Sequence, residues 1–402
     1  MRRFGIEPGL DRIRAALQRE GRPQKSFDVI SVAGTNGKGT VGSLAAALLQ
    51  AQGRRVGLYT SPHLIDVTER FRVNGVPLSR AQVGPHIDRL LQLYHDEPLA
   101  GTGPGPKLTF FEMTTLMAAV LFEAEAVDCA VFEVGLGGRL DAVNAIDADV
   151  AVVTTIGRDH TEYLGESIEE IAGEKAGIFR RHAPAVLGIQ EFEGARQTLD
   201  DAAHRCGATV IDTAQEACPW EVNSLEGRHR WTALNAVEAL QGKPVRESVR
   251  EEGFSRWRWP GRDDRLRRSS GKGMWLVDAA HNPAGVAALA KRLKQGSKGL
   301  AGIVWGGMKD KDADGVERLF EEQNVPVWGA LVENERARDR NQLSRHVPRR
   351  LWRRAGRTSK LVVELEEEVD GDILVFGSVF LVGEFFEAMG KSPGELVTYR
   401  TG

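Results

Sequence analysis

The sequence predicts an α/β protein, built on a mostly parallel sheet and followed by a second, smaller α/β unit. Three observations carry that prediction. Short continuous apolar runs alternate with helical stretches, as expected when helices cover both faces of a sheet. Many glycines directly follow the apolar runs, where loops approach ligands. A stretch at about 257–273, rich in Arg, Asp, Gly and Ser and without apolar period, interrupts the alternation, which then restarts. With 402 residues, 42% hydrophobic and 27% charged, the chain has material for more than one core, which excludes disorder as its main state.

Taken in order, residues 27–33 read as a buried strand and about 40–50 as the helix after it. A second strand is expected at 56–60. Residues 109–124 form a long apolar helix, preceded by a Gly/Pro-rich loop around 104–106. Strands at 128–134 and 149–155 are continuous apolar runs. The segment Ser167-Ile168-Glu169-Glu170 fits a capping box, so a helix runs from about 168 to 179. A strand at 185–189 and a helix at 230–240 complete the first set. After the break come strand 274–278, helix 283–294, strand 300–305, a helix near 314–322, strands 326–332, 360–364 and 372–376, and helix 379–389. The expected organisation is a first domain at 1–262, a linker at 263–273 and a second domain at 274–402.

Lys and Arg number 53 and Asp and Glu 56, a formal net charge of -3. That leaves no global basic field for nucleic acid and no polybasic anchor for a membrane. No apolar run approaches the roughly 20 residues of a membrane span. The first residues carry Arg2, Arg3, Glu7, Asp11 and Arg12, unlike a signal peptide. Cys129, Cys206 and Cys218 show no metal or disulfide spacing, so a cytoplasmic protein is expected.

Gly34-Thr35-Asn36-Gly37-Lys38-Gly39-Thr40 lies between a strand and a helix. Its glycines let backbone N–H groups face one centre, the helix N-terminus adds positive potential, and Lys38 supplies a point charge. Together these cradle a triphosphate. The general G-x-x-x-x-G-K-[ST] pattern is not met, because position 32 is Val and Gly39 separates Lys38 from Thr40. A plain strand-to-helix turn is the alternative. Glu133 closes an apolar strand, where a carboxylate suits Mg²⁺; a strand-end salt bridge is the alternative. Asp159 and His160 follow the next strand, and the oxygen preference of Mg²⁺ ranks Asp159 above His160.

Lys175 falls on the apolar face formed by Ile168, Ile171, Ala172, Ala176 and Phe179. Desolvation there favours the neutral amine, which reacts with CO₂ to give a carbamate. A lysine snorkelling past the helix edge, or paired with Glu174 or Asp159, is the alternative. In Asp278-Ala279-Ala280-His281-Asn282-Pro283, Asn282 suits an N-cap and Pro283 the first helical position. Asp278 and His281 are then held on a tight strand-to-helix turn, exposed at the sheet edge; a simple helix start is the alternative.

Together these segments resemble the folylpolyglutamate synthase/dihydrofolate synthase family of the Mur ligase superfamily. The resemblance rests on GTNGKGT (34–40), TSPHL (60–64), RFRVNG (70–75), LTFFE (108–112), EVGLGGRLDAVNAI (133–146), DHTEYLG (159–165), EKAGIF (174–179), WPGR (259–262), DAAHNP (278–283) and GSVFLVGE (377–384), in the family's order. It implies a central P-loop domain of Mur-ligase type and a Rossmann-like C-terminal domain. It further implies that Gly34, Thr35, Asn36, Gly37, Lys38, Gly39 and Thr40 hold the ATP phosphates, with Asn235, Arg262 and Asp278 as further nucleotide contacts. Ser61, Glu133 and His160 match the family's Mg²⁺ ligands, which reverses the ranking of Asp159 over His160. Two Mg²⁺ ions are implied, the second supported by carbamylated Lys175. Thr109, Phe110 and Leu140 match the pterin-substrate region, and His281 and Ser378 fall where glutamate is bound or the site completed.

Two departures stand out. Asp263-Asp264-Arg265-Leu266-Arg267-Arg268 follows Arg262 where the family has a shorter step. The segment at 305–312 keeps the Lys-Asp-Lys-Asp ending with altered lead-in residues. The reaction implied is amide formation in folate biosynthesis and one-carbon metabolism. ATP converts the carboxylate of dihydropteroate or a reduced folate into an acyl phosphate, and L-glutamate captures it. Lys38, Lys175, Asp278, His281 and Ser378 are the expected catalytic set, in a monomer that closes its second domain over the nucleotide. Another Mur-type amino-acid ligase, a P-loop NTPase or kinase, and a nucleotide-binding protein without catalysis are the competing readings.

Overall fold

The computed structural model describes residues 9–94, 108–215, 218, 220, 224–296, 299–313 and 315–400. The expected loop around 104–106 and the expected helix start at 314 lie outside them. The chain divides into two compact units. The first holds the described residues up to Ser61, then Val67–Arg258, and those from Val397 on; the second holds Pro62–Asp66 and Trp259–Leu396.

The first unit contains strands β1 (Asp28–Ala33), β2 (Val56–Tyr59), β3 (Phe71–Val73), β4 (Val76–Pro77), β5 (Cys129–Glu133), β6 (Val150–Val153), β7 (Pro184–Leu187) and β8 (Thr209–Asp212). Its helices are α1 (Asp11–Arg19), α2 (Lys38–Ala51), α3 (Arg80–Tyr94), α4 (Phe110–Ala124), α5 (Thr161–Leu164), α6 (Ile168–Ala176), α7 (Glu193–Cys206), α8 (Leu225–Gln241) and α9 (Glu247–Arg256). The eight strands form one sheet in the order β4-β3-β2-β5-β1-β6-β7-β8, parallel from β2 to β8. Strands β2, β5 and β6 are buried along their whole length, and β1 is exposed only at Asp28. This is why they read as unbroken apolar runs. On one face Phe27, Tyr59, Phe122 and Phe132 interlock, with ring centroids 5.7 to 6.4 Å apart. On the other, α2 packs against β5, α8 and α9 and buries every residue from Val41 to Leu49.

The second unit contains strands β9 (Asp264–Arg267), β10 (Met274–Asp278), β11 (Leu300–Trp305), β12 (Val327–Ala330), β13 (Trp352–Gly356) and β14 (Asp372–Phe376), with helices α10 (Pro283–Gly296), α11 (Val316–Gln323), α12 (Arg340–Arg345), α13 (Thr358–Glu368) and α14 (Val379–Ala388). The sheet order is β13-β12-β11-β14-β10-β9, with only β9 antiparallel. Helices cover both faces: Val286, Leu289, Leu319 and Phe320 pack on one, Leu361, Leu365, Val382 and Phe385 on the other.

Two expectations need correction. The strand expected at 360–364 is part of helix α13. Three consecutive apolar residues fit either state. The burial of Leu361, Val362 and Leu365, with Val363 68% exposed, follows the helical period. The stretch at 263–273 is not an irregular linker. Residues 264–267 form the edge strand β9, paired with β10. Arg268 is buried, and its guanidinium donates to the carbonyl oxygens of Leu365, Glu366, Val369 and Gly371, closing the C-terminus of α13.

Candidate active site

In the first unit, the neighbouring parallel strands β2, β5, β1 and β6 bring their carboxyl ends to one sheet edge. Ser61 follows β2, Glu133 ends β5, and the phosphate-loop segment leaves β1. Two glycines of that loop are obligatory. Gly34 has φ 144°, and a Cβ there would lie 1.8 Å from Thr154 Oγ1. Gly37, at φ 82°, caps α2, and a Cβ there would meet His229 Nε2 at 2.4 Å. The loop is tied to the end of β6: Thr154 Oγ1 donates to the Asn36 carbonyl at 2.7 Å, and Thr35 Oγ1 donates to the Gly157 carbonyl at 3.0 Å. Lys38 folds back over it, donating to the carbonyls of Gly34 and Thr35 at 3.1 and 3.2 Å.

Glu133 is buried and stands opposite Val32 of β1. Its Oε2 accepts from the Ser61 backbone N–H at 3.0 Å, so two of the three expected metal residues touch. His160 adopts the left-handed conformation (φ 52°) as cap of α5, with its side chain 42% exposed and Nε2 3.9 Å from Asp159 Oδ2. Among the described residues, no group of three or more His, Cys, Asp or Glu side chains is arranged to hold a metal.

Ser167 and Glu170 form the expected capping box of α6, and Lys175 is 4% exposed on the helix's buried face. Burial pushes its amine down to about 7; the charge of Lys38 adds to this, and Asp159 and Asp141 oppose it. Glu174 does not neutralise Lys175, because it pairs with Arg139 at 2.7 Å. The glycine-rich loop after β5 lies directly on this turn. Arg139 N–H donates to the Glu174 carbonyl at 2.9 Å, and a Cβ on Gly138 would come within 2.7 Å of the Lys175 carbonyl. Asp141, given no role from the sequence, holds that loop. Its carboxylate accepts from the N–H groups of Leu136 and Val143 at 2.8 and 2.9 Å. Burial raises its pKa to about 6, against the pull of backbone N–H groups and Lys38. A carboxylate inside a glycine-rich loop was the only signal for it.

Thr109 caps α4, with Phe110 61% and Leu140 40% exposed. Asn235 is buried in α8, and its side-chain amide donates to the Trp231 carbonyl within the helix at 2.9 Å. In the second unit, Asp278 ends β10 beside Phe376 of β14 and is buried, not exposed as the turn suggested, because Arg292 and the turn's backbone close over it. Its carboxylate receives Arg292 at 2.5 Å, the Ala280 N–H at 2.8 Å and, more distantly, Arg262 at 3.8 Å. Nothing in the local spacing pointed to Arg292, which comes from α10. Asn282 accepts from the Gly285 N–H at 2.9 Å, as an N-cap should, and His281 Nδ1 lies 2.8 Å from the Ala279 carbonyl. Ser378 caps α14 through the Leu381 N–H at 3.0 Å.

The Mur ligase middle domain family matches residues 32–237. A dihydrofolate synthase/folylpolyglutamate synthase from Mycobacterium tuberculosis is 36% identical over 369 residues, covering 81% of this chain and 74% of that one. The chain belongs to the dihydrofolate synthase/folylpolyglutamate synthase family. It is an ATP-dependent amide-forming ligase with a Mur-ligase-like fold. A Mycobacterium tuberculosis folylpolyglutamate synthase complexed with ADP and AMPPCP matches with a TM-score of 0.86 and 31% identity, over 96% of both chains. A bifunctional folylpolyglutamate synthase/dihydrofolate synthase with Mn, AMPPNP and L-glutamate bound matches with a TM-score of 0.83 and 31% identity, over 96% of this chain and 95% of that one. Ligases of this family join L-glutamate to a folate or dihydropteroate carboxylate.

Proposed function

We propose that this ligase activates the carboxylate of dihydropteroate or a reduced folate with ATP and joins it to the α-amine of L-glutamate. The observation that carries the proposal is the gathering of the 34–40 loop, buried Glu133 and buried Lys175 about one sheet edge. The relative holding Mn, AMPPNP and L-glutamate supports a nucleotide, a divalent ion and glutamate as reactants.

A carboxylate resists an amine because oxide is a poor leaving group. Transfer of the γ-phosphoryl group makes an acyl phosphate, the amine adds to the acyl carbon, and the tetrahedral intermediate expels phosphate. Lys38 and the N–H groups of residues 34–40 meet the charge that develops on the phosphoryl oxygens. Lys38 exchanges its two loop carbonyls for these oxygens when nucleotide binds.

The donors beside the loop fit Mg²⁺. Glu133 offers a carboxylate and Ser61 a hydroxyl, and this ion commonly needs only one or two carboxylates because water and phosphate complete its shell. Ser61, Glu133 and His160 would hold it, and its charge would neutralise the phosphates. A neutral Lys175 would add CO₂ and release a proton, and the resulting carbamate would supply anionic oxygens for a second ion. Asn235, Arg262 and Asp278 are assigned to the nucleotide, Thr109, Phe110 and Leu140 to the pterin-bearing substrate, and His281 and Ser378 to glutamate. The three free cysteines suit a reducing compartment, and the proposal places the enzyme in the cytoplasm as a monomer. Among the described residues, no helix is long and apolar enough to cross a membrane.

Offering dihydropteroate and tetrahydrofolate separately, with ATP and glutamate, tests the assignment. A glutamylated product from at least one acceptor is expected. ATP turnover without any such product would overturn it.

A further inference from the structure

The entry of α4 carries more machinery than a helix end needs. Glu112, in the first turn, is buried. Its Oε2 accepts from the Thr109 N–H at 2.8 Å, while Thr109 Oγ1 accepts from the Glu112 N–H at 3.2 Å. That reciprocal cap alone closes the helix. Glu112 also receives Arg12 from α1, 100 residues earlier in the chain. Arg12 Nε lies 3.1 and 3.2 Å from the two carboxylate oxygens, and Nη2 lies 2.9 Å from Oε1. The side chains are 14% and 5% exposed, so this is a shielded ion pair held by a planar fork.

What the pair holds in place is unusual for a helix start. Phe110, the residue after the cap, leaves its ring largely in solvent, with the guanidinium of buried Arg70 5.1 Å from the ring centroid. An exposed ring braced by a cation is suited to stacking on a flat heteroaromatic group. It serves only if the helix end beneath it is fixed.

We propose that Arg12 is a positioning residue: through Glu112 it locks the entry of α4, so that Thr109 and Phe110 present a rigid platform to the bicyclic ring of the acceptor substrate. The proposal rests on the assignment of Thr109 and Phe110 to that substrate. It separates Arg12 from the phosphate chemistry, which is served by other elements.

The test is steady-state kinetics on Arg12→Gln, Arg12→Lys and Phe110→Ala, with ATP and acceptor varied separately. In Arg12→Gln the acceptor KM rises on the order of tenfold, while kcat and the ATP KM stay within about twofold of wild type. Arg12→Lys, which keeps the charge but not the fork, falls between. Should the glutamine variant fail to fold, the lysine variant carries the same comparison. An acceptor KM unchanged in the Arg12 variants but raised in Phe110→Ala overturns the role of Arg12 alone. An unchanged KM in Phe110→Ala overturns the substrate assignment and the proposal with it. Acceptor and ATP constants rising in parallel reveal a general loosening of the fold and also overturn it.

Discussion

Among single residues, Lys175 combines burial, charge and reactivity most closely. Its place on the apolar face of α6 was readable because that helix repeats Ile168, Ile171, Ala172 and Ala176 at helical spacing. Lys175→Ala is expected to abolish ligase activity and leave the fold intact, checked by product formation and circular dichroism. With its amine near 7, CO₂ capture weakens as the pH falls below that value and the group protonates. Activity should therefore drop below about pH 7 and recover on adding bicarbonate; rates indifferent to CO₂ would contradict this. Stability runs the same way. The folded-state pKa lies below the ordinary lysine value of 10.5, so the unfolded chain binds more protons between the two values. This residue's contribution to stability therefore rises with pH across that interval. Gly34→Ala is expected to cost about 1–3 kcal/mol from its positive φ alone, before the clash with Thr154, and to raise the ATP KM. Asp141 was not legible in the same way. A lone carboxylate in a loop has no periodicity to expose it, and its hydrogen bonds to Leu136 and Val143 exist only once the loop has folded.

Among elements, the central strands were legible and the edges were not. Strands β1, β5 and β6 are mostly apolar and buried because helices cover both faces, whereas β3, β4 and β9 are short edge or near-edge strands with mixed residues. Helices α3, α7 and α9 escaped notice because a narrow buried stripe lies among many polar residues: α7 buries only Ala195, Leu199 and Ala203. The misread α13 shows the reverse problem, a brief apolar run whose period emerges only with Leu365. The arginine-rich departure after Arg262 has a structural cause. Arg268 is fully buried, lies 3.6 Å from Glu366 and covers four carbonyls at the end of α13. Burial alone would raise the Glu366 pKa, but hydrogen bonds from Trp275, Ser270 and Ser269 outweigh it and hold the carboxylate below its ordinary value. Arg268→Met leaves Glu366 its hydrogen bonds from Trp275, Ser270 and Ser269 but takes the donor from those carbonyls, with an expected loss of about 1–3 kcal/mol in urea unfolding. A change under about 1 kcal/mol would show that the capping is ornamental.

For the whole molecule, each unit carries its own core, the first around β1 and β5, the second on both faces of its sheet. The alternation of strands and helices was enough to show two α/β bodies. It could not show that Pro62–Asp66 belongs with the second, or that residues from Val397 on return to the first, because such short segments carry no period. Nucleotide that binds only the folded state stabilises it by mass action, about 2.7 kcal/mol at a hundred times Kd. Mg-ATP should therefore shift the melting curve of the wild type more than that of Gly34→Ala. ATP is spent to make an acid receptive to an amino group. Following ADP and product mass together, while acceptor and glutamate are withheld in turn, puts this to the test. The account predicts ADP and glutamylated acceptor in equal amounts, and no product when either partner is missing. Sustained ADP release without glutamate, and no adduct when all components are present, would contradict it.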